Sequence, residues 1–185
     1  MKVIIFEVCR SPEIQKETEA QVLSQFFSEN GIEYELYSND GIWPVKTVID
    51  KNFIKYCLTK SEVRTVHLAI HGDDKGLILK WSNAKTIADR IPEDRLTGIE
   101  IREIKEWNKK LIVSGACSSA KLASFFLDTG AEAVIAPDVP IDWTNLAEFF
   151  RVFYKTLFSA QKPASALEFA ITQFPEFKSY HIFSN

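Results

Sequence analysis

The chain has 185 residues and a mass of 21.1 kDa, the size of one ordinary domain, with 46% hydrophobic and 25% charged residues and only 7 Gly and 7 Pro. That composition excludes collagen-like, low-complexity and disordered chains, and predicts one core burying about 70% of the surface the unfolded chain exposes. A formal charge of −3 gives no broad positive field to attract phosphate backbones, so no direct nucleic-acid partner is expected.

Lys2 to Cys9 (KVIIFEVC) reads as a buried strand, and Ser11-Pro12 as the start of a helix that ends at Gly31. Ile32 to Ser38 alternates like a strand. Val45 to Thr59, after Pro44, has helical spacing through Val48, Ile49, Phe53, Ile54 and Cys57. Arg64 to Ile70 is a third strand. Gly72 to Asn108 is the least regular part, and its charge-dense stretch Asp94 to Glu106 reads as a solvated insertion or as a substrate-facing or regulatory loop. Lys109 to Ser114 and Ala133 to Ala136 are the fourth and fifth strands. Helical patterns lie at Ser119 to Asp128, closed by Gly130, at Asn145 to Ala160, and at Ala164 to Phe174. Apolar strands alternating with helices predict an α/β three-layer sandwich around a mostly parallel sheet. No linker or repeat divides the chain, so residues 1–185 read as a single domain.

No run approaches the ~18 apolar residues of a membrane span. The N-terminus reaches Glu7 after four apolar residues, too few for a secretory signal, so a cytoplasmic protein with no membrane partner is expected. Cys9, Cys57 and Cys117 are odd in number and form no CxxC, against a disulfide framework and against a zinc knuckle.

In open α/β sheets the reactive crevice lies beyond the carboxyl ends of the strands. The third strand runs into His71-Gly72-Asp73-Asp74 and the fourth into Ser114-Gly115-Ala116-Cys117-Ser118-Ser119, so a His and a Cys meet at one edge. A thiol at a strand-to-helix junction faces unpaired N–H groups that favour the thiolate, with Gly115 permitting the turn and Ser118 and Ser119 free to cap the helix. Alone, Cys117 also reads as a small buried residue and His71 as a polar strand end. His67, inside the third strand, reads as a satisfied core histidine.

The His precedes the Cys by 46 positions, near the spacing of about 50 found in caspases. Val66 to Leu79 (VHLAIHGDDKGLIL), Leu111 to Ala136, Ala147 to Phe158 and Pro163 to Ile171 together resemble the CHAT domain of the caspase-like cysteine peptidases. The resemblance implies a caspase-like fold and a cysteine endopeptidase acting on a protein substrate. It also implies a His71–Cys117 dyad and an oxyanion hole made by the backbone N–H groups of Gly72 and Cys117. No metal and no cofactor are implied. Gating by a regulatory protein partner or by self-assembly is expected, because the chain lacks the helical sensor repeats usual in the family; a place in antiviral defence follows only by analogy. Ser118 stands where relatives often carry an acid. Candidate substrate-binding residues are Ser114, Asp73, Asp138 and Trp143, with Asp74 and Asp142 nearby. No Arg or Lys is expected at these strand ends, Arg95, Arg102 and Lys121 lying off them, so an uncharged residue before the scissile bond is predicted. Two other readings stay open: a catalytically silent caspase-like interaction module, and a glutamine-amidotransferase-like hydrolase. The second would need a later catalytic His, and only His181 follows Cys117.

Overall fold

The computed structural model describes residues 2–8, 18–39, 47–60, 62–84, 86 and 88–185. In chain order these form β1 (Lys2–Val8), α1 (Glu19–Glu29), β2 (Tyr34–Ser38), α2 (Lys51–Leu58), β3 (Val63–Ile70), β4 (Gly72–Asp73), β5 (Gly76–Trp81) and β6 (Pro92–Leu96). There follow α3 (Gly98–Glu103), β7 (Leu111–Ser114), α4 (Ala123–Leu127), β8 (Ala133–Pro137), α5 (Leu146–Phe158), α6 (Pro163–Gln173) and β9 (Tyr180–Phe183).

The main sheet has six strands in the order β2-β1-β3-β7-β8-β9. All its pairings are parallel except that of β9 with β8. Its central strands are apolar on both faces because both faces are covered. Alternation along β1 sends Ile4, Phe6 and Val8 into one apolar cluster and Val3 and Ile5 into the other. The first cluster lies under α2, α3 and α4 and includes Leu77, Leu79 and Leu96 of the small antiparallel sheet β4-β5-β6. The second lies under α1, α5 and α6, where Phe149, Phe150, Phe153, Tyr154 and Leu157 make one buried stripe of α5. Each such side chain contributes about 1.5–3 kcal/mol on burial. Together these layers make the α/β sandwich predicted from the strand and helix alternation. Among the described residues no helix is long and apolar enough to cross a membrane.

Four expectations need correction or delimitation. The described part of the first helix is capped by Thr18, whose side chain and that of Gln21 exchange hydrogen bonds with the opposite backbone N–H; the predicted Ser11-Pro12 start, and Cys9, lie outside the described residues. Asp94 to Glu106 is no solvated insertion. It supplies β6 and α3, with Leu96, Ile101 and Ile104 buried alongside Trp107 and a second reciprocal cap between Thr97 and Glu100. Its charges mark the outer face of packed elements. Ser119 to Asp128 is a 3-10 turn over Ser119–Leu122 leading into α4, not one helix. Finally, β9 adds an antiparallel edge strand that the five-strand reading lacked.

Candidate functional site

β3 and β7 are neighbours, Leu68 opposite Ser114, and the Gly115 N–H donates to the Leu68 carbonyl at 2.9 Å. The chain therefore leaves both strands side by side. Immediately beyond, the backbones touch: a Cβ on Gly72 would lie 2.7 Å from the Cys117 carbonyl oxygen and 3.1 Å from the Ala116 Cβ. Only glycine permits that approach. His71 and Cys117, both half-buried, flank this contact at the carboxyl end of the sheet.

The Cys117 thiol faces the Ile141 carbonyl, Sγ to O 3.9 Å, and the Ser118 N–H donates to the Val139 carbonyl at 3.2 Å. Ser118 takes a left-handed conformation, φ 55°, and makes no capping hydrogen bond, while the Ser119 hydroxyl donates to the Ala116 carbonyl at 2.7 Å. The expected serine caps are thus absent. The helix behind the thiol is also shorter than expected, so its dipole contributes less than the sequence suggested.

The His71 ring is stacked on Trp143, centroids 4.4 Å apart and planes 24° apart, and stands perpendicular to Trp81 at 5.4 Å. Trp143 therefore reaches His71 from the loop after β8. Trp81 carried no signal in the sequence, being a lone aromatic in an irregular stretch.

Of the other candidates, Ser114 is 1% exposed and its hydroxyl accepts the Ala116 N–H at 3.2 Å. It holds the turn from beneath and does not line the crevice. Asp73 accepts two hydrogen bonds from the Arg95 Nε and one from Nη2, at 2.7 to 3.2 Å, and others from the N–H groups of Lys75 and Gly76. Burial pushes its carboxyl up, but Arg95 and the backbone donors outweigh this and hold it below the ordinary value. Arg95 is thus brought to the strand end by the pairing of β5 with β6, correcting the expectation that it lies away from it. Asp138 is exposed, 3.3 Å from His181 on β9, and Asp142 accepts the Thr144 N–H. Among the described residues no three His, Cys, Asp or Glu side chains cluster as metal ligands.

Beneath the Cys117 turn lies a buried polar group that the sequence reading missed except for His67. The His67 ring is 0% exposed, its Nε2 2.7 Å from Glu19 Oε1 and its Nδ1 3.0 Å from the Tyr154 hydroxyl. His67 is therefore a satisfied core histidine. Burial first, and then the Glu19 charge, raises the Tyr154 and Tyr180 phenols well above their ordinary value.

The family model of the CHAT domain matches residues 7–182. A secreted C11 cysteine protease from Bacteroides thetaiotaomicron, solved with an irreversible peptide inhibitor, superposes with a TM-score of 0.55 at 15% identity, over 90% of this chain and 56% of that one. The complex of the pro- and mature domains of RgpB from Porphyromonas gingivalis gives 0.66 at 9% identity, over 100% of this chain and 47% of that one. Such identities show the fold alone, which is caspase-like, and the chain spans about half the length of these two structures. No curated protein sequence matches it.

Proposed function

The chain belongs to the CHAT domain family, and from that premise we propose that it is a cysteine endopeptidase with His71 and Cys117 as its dyad. The observation that carries this reading is the contact of the Gly72 backbone with that of Cys117, which sets the histidine-bearing and cysteine-bearing strand ends against each other. His71 takes the thiol proton, and Cys117 Sγ bonds to the scissile carbonyl carbon. The C–N bond then breaks as His71 returns the proton to the leaving amine, and water hydrolyses the thioester. The N–H groups of Gly72 and Cys117 serve the developing oxyanion, an effect worth about 2.7–4 kcal/mol per donor in comparable sites.

The substrate is a protein met in the cytosol, and a partner or self-assembly gates access to it. No metal or organic cofactor takes part. Close to His71 the Asp73 carboxylate is already neutralised by Arg95, and Trp143 presents an aromatic surface. Both favour an uncharged residue before the scissile bond. The rival reading, a silent interaction module, has against it that both dyad residues are present and reach the surface.

Cleavage of a peptide library by the wild-type chain and by Cys117→Ala tests the proposal, with iodoacetamide labelling in parallel. Cleavage that is lost in the variant supports it, as does labelling of Cys117 much faster than of Cys57, which is buried. Equal labelling with no cleavage overturns it in favour of the module.

A further inference from the structure

A dyad needs one imidazole, yet two tryptophans converge on it. The indole of Trp143 lies flat against the His71 ring at 4.4 Å, and that of Trp81 stands at 89° to it at 5.4 Å. They come from opposite sides of the sheet. Trp81, at the end of β5, packs on the apolar cluster under α2, α3 and α4; Trp143, on the loop after β8, packs on the cluster under α1, α5 and α6. The imidazole emerges between two layers and is held by one ring from each.

Resting on the dyad assignment, we infer that Trp81 and Trp143 are positioning residues that fix the plane of the His71 ring for proton exchange with Cys117. Histidine χ2 is a broad, roughly two-fold torsion, so a half-exposed ring at a strand end is not oriented by its own rotamers. Proton transfer needs a ring nitrogen within hydrogen-bond reach of the thiol, and a displacement of about 1 Å costs up to roughly a hundredfold in rate. Aromatic pairs favour the offset-stacked and edge-to-face arrangements seen here. The stacked indole resists tilting of the imidazole out of its plane, and the perpendicular one blocks its rotation within the remaining space. The loop that carries Trp143 also touches the nucleophile, through the Ile141 carbonyl at the Cys117 thiol and the Val139 carbonyl at the Ser118 N–H. Residues 139–143 therefore set the positions of both dyad members relative to one frame.

The test uses the full chain and iodoacetamide, following the alkylation rate of Cys117 at neutral pH together with the proton NMR shifts of the His71 ring, assigned by loss of its signals in His71→Ala. In the wild type the ring protons are displaced upfield by the stacked indole. Trp143→Leu moves them downfield and slows alkylation about tenfold, whereas Trp143→Phe, with a weaker ring current, moves them partway and keeps most of the rate. Trp81→Leu slows alkylation a few-fold. Wild-type rates and shifts in both leucine variants, with His71→Ala slow, overturn the positioning role and leave the dyad standing. A wild-type rate in His71→Ala overturns the dyad itself. Should Trp143→Leu fail to fold, Trp81→Leu and the shift in Trp143→Phe decide, since unmoved His71 signals in both refute the contacts.

Discussion

The Cα of Gly115 faces the carboxylate of Glu19 so closely that a Cβ built there would lie 2.8 Å from each of its oxygens. Gly115 is thus required for the space it leaves above an acid of α1. Glu19 in turn holds the Nε2 of buried His67, and the turn bearing Cys117 rests on this pair.

Gly115→Ala should therefore cost on the order of 1–3 kcal/mol, the range for forcing a methyl into a filled site. Because the clash is with one side chain, Gly115→Ala/Glu19→Ala should lose less than the sum of the two single variants in urea unfolding. Additive losses would show that the methyl meets something else.

His67→Ala and Glu19→Ala should each lose about 1–3 kcal/mol, since each leaves a buried partner unsatisfied. Neither residue is assigned to the chemistry, so the folded fraction of each variant should still alkylate at Cys117. A stable His67→Ala with an unreactive Cys117 would move His67 into the catalytic machinery.

Cys117→Ala and His71→Ala should abolish peptide cleavage while keeping the thermal midpoint within a few degrees, both side chains being half-exposed at strand ends. Cleavage retained by either variant rules out the dyad.

The bidentate Asp73–Arg95 pair, Nε to Oδ1 and Nη2 to Oδ2, makes a prediction about selectivity. The wild-type library profile should favour an uncharged residue before the cut, and Arg95→Ala, which frees the Asp73 carboxylate, should admit Arg or Lys there. An unchanged profile in Arg95→Ala would place the pair away from the substrate.

Glu35 predicts part of the acid response. Burial pushes its carboxyl up, but Lys2, Lys60 and the Tyr37 hydroxyl outweigh that and hold it at about 2. A folded value below the unfolded one means that its stabilisation is present above about pH 4.5 and is lost as the pH falls through about 2. Glu35→Gln should unfold at lower urea than wild type at pH 6, and the difference should vanish near pH 2. A gap that persists at pH 2 would mean that packing, not charge, sets the loss.

The parts of this molecule legible in its sequence are those fixed by local pattern. β1, β3, β7 and β8 are continuous apolar runs, and the α5 stripe of Phe149, Phe150, Phe153 and Leu157 has unbroken helical spacing. His71 and Cys117 stand out as candidates because strand ends are where α/β sheets place reactive groups, and the two strand ends do lie against each other. What escaped depended on contacts distant in sequence. Glu19 meets His67 across 48 residues, and Arg95 meets Asp73 across 22. β9 is four residues long and borrows its definition from β8. Charges on β6 and α3 hid Leu96, Ile101 and Ile104, which alternate too briefly to outweigh them.

Strand β7 is hydrogen-bonded on both sides, by β3 and by β8, and its Ile112 and Val113 are 0% exposed, whereas β6 pairs only with β5. Amide hydrogen exchange should follow that difference. The β7 amides are released only when the whole fold opens, and those of β6 through local, cheaper openings. Cys117 thus follows directly on the last part of the chain to yield, while Trp81, one of the two rings against His71, ends β5 beside the edge strand β6. On the proposed dyad, an opening confined to that edge would withdraw one of the two rings that hold the histidine, with the cysteine and its strand undisturbed.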